Sequence, residues 1–213
     1  MKTIKITGIG NVTMEVNQIE LAINLSTQKK QYQESITCHD KKLEDLICLF
    51  TNLGFKKSEI KTTIFKVQPK YTSINTTKGY RQEFVGYEVY QSLTIEFEMN
   101  MPLLDSILTK ISSSNINPKI DVSFTIKDKL SLQNKLLESA CHDAKAKAEI
   151  LAACTNQKIT NILEIDYSFS RINIYSRAKY SANASEEMCS FGSNFTPSDI
   201  NETSEVSFIF EVE

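Results

Sequence analysis

The chain has 213 residues, 41% hydrophobic and 23% charged, and its 24 Lys and Arg against 26 Asp and Glu leave a formal charge of −2. This is ordinary globular usage, with apolar material enough for a sizeable core. No block of like charge is long enough for a nucleic-acid or polybasic membrane patch, and no window approaches the ~18 consecutive apolar residues of a membrane helix.

Met1-Lys2 runs straight into Thr3-Ile4-Lys5-Ile6-Thr7, an alternating strand pattern rather than an apolar signal core. A cytoplasmic location is therefore expected for the chain as it stands, and a periplasmic or other extracytoplasmic one if a leader has been removed. Gly8-Ile9-Gly10 follows. A phosphate loop would need a third glycine and a following helix, so the glycines read as a bend or bulge in the strand. The next strand sets Ile19, Leu21, Ile23 and Leu25 on one face with Glu20 and Asn24 opposite.

A helix is expected from Ser35 to Leu53, with Ile36, Leu43, Leu46, Ile47, Phe50 and Leu53 as its apolar stripe and Gly54 as its stop. Tyr71 to Glu83 is polar and reads as a hairpin tip. From Tyr87 to Met99 the set Tyr87, Val89, Leu93, Ile95, Phe97 and Met99 keeps period two. At ~3.3 Å per residue it extends roughly 43 Å, beyond the usual strand. Such a strand either crosses the whole sheet or projects from it, and a projecting edge offers unpaired amides and carbonyls to another subunit.

A second helix starts at Pro102, a favoured first-turn residue, and buries Leu103, Leu104, Ile107, Leu108 and Ile111. Ile120, Val122, Phe124 and Ile126 form the next alternating strand. The third helix, Ser131 to Thr155, places alanines at 140, 144, 148 and 152. That spacing makes one thin stripe of methyl groups, which lets a helix lie close against a sheet. A strand with Leu163, Ile165, Tyr167 and Phe169 on one face follows. Residues 171–204, rich in Ser and Asn, are expected to form a long mobile loop, and the last strand sets Val206, Phe208, Phe210 and Val212 on one side. Clean alternation means one packed and one wet face. The expected fold is α+β: a mixed, mainly antiparallel sheet with helices packed on one face and a long projecting hairpin. It forms a single domain over 1–213, divided into a larger and a smaller lobe.

The order of these blocks resembles the SIMPL-domain family over nearly the whole chain. Gly8-Ile9-Gly10 and the strand from Ile19 are similar to its opening. Gly54-Phe55, Glu59-Ile60-Lys61-Thr62 and Pro69-Lys70-Tyr71 resemble its second block, and Gly86-Tyr87 with Leu93-Thr94-Ile95 its third. The alanine helix and Thr196-Pro197 with Val206 to Phe210 complete the likeness. Val16-Asn17 stands where the family has Pro-Asp, and Asn156 and Thr160 where it has glycines. Asn tolerates the left-handed conformation of a helix stop. The resemblance implies a bacterial α+β protein whose relatives include periplasmic immunogens, one assembling into a channel-like ring, and proteins linked to oxidative-stress defence. It supplies no catalytic residues.

The residues themselves supply none either. The five cysteines, at 38, 48, 141, 154 and 189, lack CxxC spacing, and four fall in helices, so they read as reduced thiols. Cys38-His39 and Cys141-His142 are two metal-ligating pairs, but neighbours on a helix point ~100° apart, and both pairs read as chance neighbours on solvated faces. His39 and His142 are the only histidines, and Glu44/Asp45 and Glu186/Glu187 are carboxylate neighbours on wet surfaces. No enzyme, metal or cofactor is expected. What remains is an aromatic cluster, Tyr71, Tyr80, Phe84, Tyr87 and Tyr90. It forms either a subunit contact or ligand groove, or cross-strand pairs that stabilise the ribbon. The leading expectation is a non-enzymatic homo-oligomer docking through the hairpin edge, without nucleic acid; the alternative is a small-molecule or peptide binding module built on the same tyrosines.

Overall fold

The computed structural model describes residues 2–76, 79–167, 172–183 and 196–213. The chain divides into two compact units. One comprises Met1–Asn17, Thr125–Arg177 and Pro197–Glu213; the other comprises Gln18–Phe124 and Ala178–Thr196. The α+β class stands, and the strands form two antiparallel sheets.

In the first unit, strand β1 (Lys2–Met14) and the closing strand (Ile200–Val212, β8 in chain order) pair without a break from Lys2↔Val212 to Met14↔Ile200. No bulge therefore interrupts the pairing at Gly8 or Gly10. These glycines make room for a helix instead. A Cβ on Gly8 would lie 2.1 Å from the Ala140 carbonyl oxygen, and one on Gly10 2.1 Å from that of Leu136. The helix is α3 (Lys129–Cys154), and its alanine stripe does what its spacing predicts. Ala140, Ala144 and Ala148 pack with Ile6, Val206, Phe208 and Phe210, while Leu132 and Leu136 close a second cluster with Ile126 and Ile200. Asp128 caps the helix start by accepting from the Ser131 N–H at 2.8 Å. Asn156, with φ +54°, takes the left-handed turn after its end.

Helix α3 also closes the outer margin of β1. Asp143 Oδ2 accepts the Ile9 N–H at 2.7 Å, Ser139 Oγ accepts the Asn11 N–H at 3.3 Å, and Lys147 Nζ reaches the Thr7 carbonyl at 3.5 Å. Lys147 also pairs with Asp143 at 2.6 Å. The Lys147 hydrogen bond and then the Ile9 amide hold the Asp143 carboxyl below its ordinary 3.8. A carboxyl depressed in the fold adds stability above its unfolded pKa, and loses it as pH falls through the folded one. The wild type should therefore lose its stability advantage over Asp143→Asn as pH drops below about 3.8, measured by urea unfolding across an acid series. An advantage independent of pH would refute this role.

Strand β6 (Ile159–Asp166) is the other edge of this sheet, in the order β1-β8-β6. The sequence leads one to expect a single packed face of Leu163, Ile165, Tyr167 and Phe169. The strand instead ends at Asp166, and all of it from Thr160 onward is exposed; Phe169 lies outside the described residues. Two register shifts reset its alternation, so that Ile159, Ile162 and Ile165 stand opposite Val212, Phe210 and Phe208.

In the second unit, β2 (Gln18–Lys29), α1 (Tyr32–Asn52), β3 (Lys61–Thr76), β4 (Gly79–Glu98), α2 (Met101–Ser112) and β5 (Lys119–Thr125) follow in turn. Their spatial order, β3-β4-β2-β5, is the split βαβ arrangement. Ile19, Leu21, Ile23 and Leu25 are buried with Val89, Leu93 and Ile95 beneath Leu46 and Phe50, and Leu104, Ile107, Leu108 and Ile111 bury the face of α2. Asn100 caps α2, its Oδ1 accepting from the Leu103 N–H at 3.0 Å.

The long loop expected over 171–204 is in part strand. Tyr175–Asn183 forms β7 at the edge beside β5, and β8 begins at Ile200. β7 buries only Ser176 among its described side chains, so it carries no apolar alternation to read. Residues 184–195, with Cys189, lie outside the described residues.

Candidate functional site

The longest strand among the described residues, β4, builds a feature that reaches beyond its sheet. β4 pairs with β2 only from Glu98↔Gln18 to Tyr87↔Lys29, whereas its pairing with β3 continues to Thr76↔Gly79. Past Tyr87 the two strands continue as a ribbon. At ~3.3 Å per residue, all of β4 spans roughly 66 Å, longer than the Tyr87–Met99 alternation implies.

A bulge at the root of the ribbon sorts its aromatic residues. The pairing steps from Lys70↔Gly86 to Tyr71↔Phe84, leaving Val85 as the extra residue. Gly86 has φ +134°, and a Cβ there would lie 2.2 Å from the Lys29 carbonyl oxygen. Only glycine fits both constraints. Because the bulge shifts the parity, Phe84 and Tyr87, three apart, meet on one face.

An edge-to-face ladder results: Tyr71–Phe84 at 5.7 Å, Phe84–Tyr87 at 5.3 Å and Tyr87–Tyr32 at 5.5 Å between ring centroids. Tyr32, from the first turn of α1, was not among the expected residues. Tyr71, Phe84 and Tyr32 remain about half exposed, and Tyr80 further out is 83% exposed. Tyr90 belongs elsewhere. It lies on the opposite face, where its hydroxyl donates to Asn24 Oδ1 at 2.8 Å; Asn24 Nδ2 and the Ser181 hydroxyl in turn donate to Asp121 at 3.2 and 2.5 Å. On that face Glu88 accepts from Lys70 Nζ at 2.6 Å and from Ser26 at 3.1 Å, and the Lys70 hydrogen bond holds its carboxyl below the ordinary range. These polar contacts span five strands, β3, β4, β2, β5 and β7, and were not foreseen.

His39 corrects another expectation. It is buried, not solvated. Its Nδ1 lies 3.3 Å from Thr27 Oγ1 and its Nε2 3.1 Å from Gln91 Oε1, while Gln91 Nε2 donates to Thr62 Oγ1 at 2.9 Å. The imidazole thus links α1 to β2, β4 and the edge strand β3, and has no ring nitrogen left for a ligand. Its spacing, four residues before Leu43 and seven before Leu46, is the signal that places it on the inner stripe. His142 is exposed on α3. Among the described residues, no three His, Cys, Asp or Glu side chains converge as metal ligands, and no helix is long and apolar enough to cross a membrane.

A family model described as SIMPL, protein of unknown function (DUF541), matches residues 4–210. No curated protein matches the chain.

Proposed function

The chain belongs to the SIMPL family, and we propose that it is a non-enzymatic member that self-associates through the β3–β4 ribbon. The observation that carries this reading is the ribbon beyond the Tyr87↔Lys29 pair. There, β3 is the outermost strand of its sheet. Gln28 Nε2 donates to the Val85 carbonyl at 3.4 Å, but from Gly79 to Phe84 no strand other than β3 pairs with β4 among the described residues. Pro69 and Lys70 blunt β3 where it leaves the body. Tyr71 to Thr76, further out, contain neither Pro nor Lys. A second copy could add a strand there and cover the half-exposed rings, recovering about 25 cal/mol per Å² of apolar surface. The mechanism requires no cofactor and no nucleic acid.

The test is size-exclusion chromatography with light scattering on wild type and on Tyr71→Ser/Phe84→Ser, whose substitutions lie outside the buried core. The reading predicts an oligomer at micromolar concentration and a lower mass for the variant. A wild-type monomer overturns it. A wild-type monomer that instead captures an aromatic peptide, and loses it in the variant, would point to the ladder as a ligand shelf.

A further inference from the structure

The two edges of the three-stranded sheet are treated unequally. β1 has its outer amides satisfied by Asp143 and Ser139 of α3. β6, at the other edge, pairs only with β8 among the described residues. Helix α3 packs chiefly on β1 and β8, so the helix-side face of β6 is left open. The two bulges turn Ile159, Ile162 and Ile165 onto that face, in line with Val212, Phe210 and Phe208. Ile162 is nevertheless 40% exposed and Ile165 59%. Between α3 and β6 runs a groove of about 810 Å³ whose lining includes Ala152, Ile159, Ile162 and Phe210, with Lys145 and Glu149 also contributing.

We propose that β6 is a dimerisation strand: two copies meet with their β6 strands antiparallel about a two-fold axis through Ile162. The occupant is argued from the order of residues along the strand, which is complementary to itself. With Ile162 opposite its own copy, Ile159 faces Ile165, Thr160 faces Glu164, and Lys158 at one end faces Asp166 at the other. The two-fold then supplies two Lys158–Asp166 contacts, one on each side of the axis, and a continuous row of isoleucines, as an isologous contact requires. Lys158 and Asp166 are both exposed, and the Lys158 backbone is paired with Glu213 in both directions, which fixes this end of the strand. Because the bulges twist the edge, the isoleucine face carries the join more than an unbroken backbone ladder does. This contact lies in a different unit from the ribbon and does not rest on it.

The two can be separated by working in the full-length Tyr71→Ser/Phe84→Ser background, where a dimer should persist. In that background Lys158→Glu or Asp166→Lys places like charges opposite each other twice, and should weaken the dimer roughly tenfold. The combined charge swap should return its dissociation constant to within about threefold of the starting value. Ile162→Cys should give a covalent dimer on mild oxidation, with the introduced thiols joined to each other in the peptide map. Circular dichroism on each variant checks that the fold is intact. A double swap no tighter than the single variants, or failure of the introduced thiols to join, overturns the proposal. So does a monomer in the hairpin background, even where the wild type is an oligomer.

Discussion

Gly8→Ala is expected to lower stability by about 3 kcal/mol, and Gly10→Ala by a similar amount, read from urea unfolding midpoints. Each substitution adds one methyl group to a strand that α3 crosses at backbone contact. The new carbon would sit 2.1 Å from the carbonyl oxygen of Ala140 or Leu136, and on Gly8 also 2.7 Å from the Ala144 Cβ. These neighbours are helix backbone and a methyl group, neither of which can swing aside as a flexible side-chain end would. Relief therefore requires α3 to lift, and lifting separates Ala140, Ala144 and Ala148 from Ile6, Phe208 and Phe210. Alanine at Thr7, whose exposed side chain meets the Ser207 hydroxyl, should cost well under about 1 kcal/mol. If Gly8→Ala and Thr7→Ala shift the midpoint equally, the close helix–strand approach is not what holds this unit together.

Gly86→Ala is expected to cost about 3 kcal/mol as well, by a different route. Here the backbone conformation matters as much as the space. At φ +134° a side chain is strained wherever it points, and this one would also meet the Lys29 carbonyl oxygen at 2.2 Å. The chain can escape only by giving up the bulge. Without the bulge Phe84 turns away from Tyr87, and the ladder Tyr71–Phe84–Tyr87–Tyr32 is broken. Stability and the near-ultraviolet tyrosine signal should thus fall together, and assembly through the ribbon with them. An unchanged signal beside lost stability would separate the bulge from the ladder.

Much of the fold was legible because apolar periodicity decides it. The alanine stripe, the alternation from Ile19 to Leu25 and the last strand each carry a strong pattern on a buried face. Three features escaped for physical reasons. β7 is a polar edge strand, held by pairing rather than burial, so its residues read as loop. The bulges in β6 and at Val85 change which residues share a face without changing the composition, and a strict period of two then misassigns Phe84 and Ile162. Buried polar groups were the third. His39 and Gln91 occupy core positions because they satisfy one another, and residue type alone assigns them to the surface. Of the five aromatic residues singled out in the sequence, Tyr71, Phe84 and Tyr87 stack on one face; Tyr80 stands exposed further out, Tyr90 joins the polar face, and Tyr32 enters the ladder because helix α1 starts earlier than Ser35.

Amide hydrogen exchange on the wild-type chain, compared between dilute and concentrated solution, tests ribbon docking most directly. A lone two-stranded ribbon leaves half of its β3 amides to water, so peptides covering 71–76 should exchange fast when dilute and become protected as concentration rises. Exchange in that segment that is the same at both concentrations, alongside a monomeric mass, would contradict assembly through the ribbon.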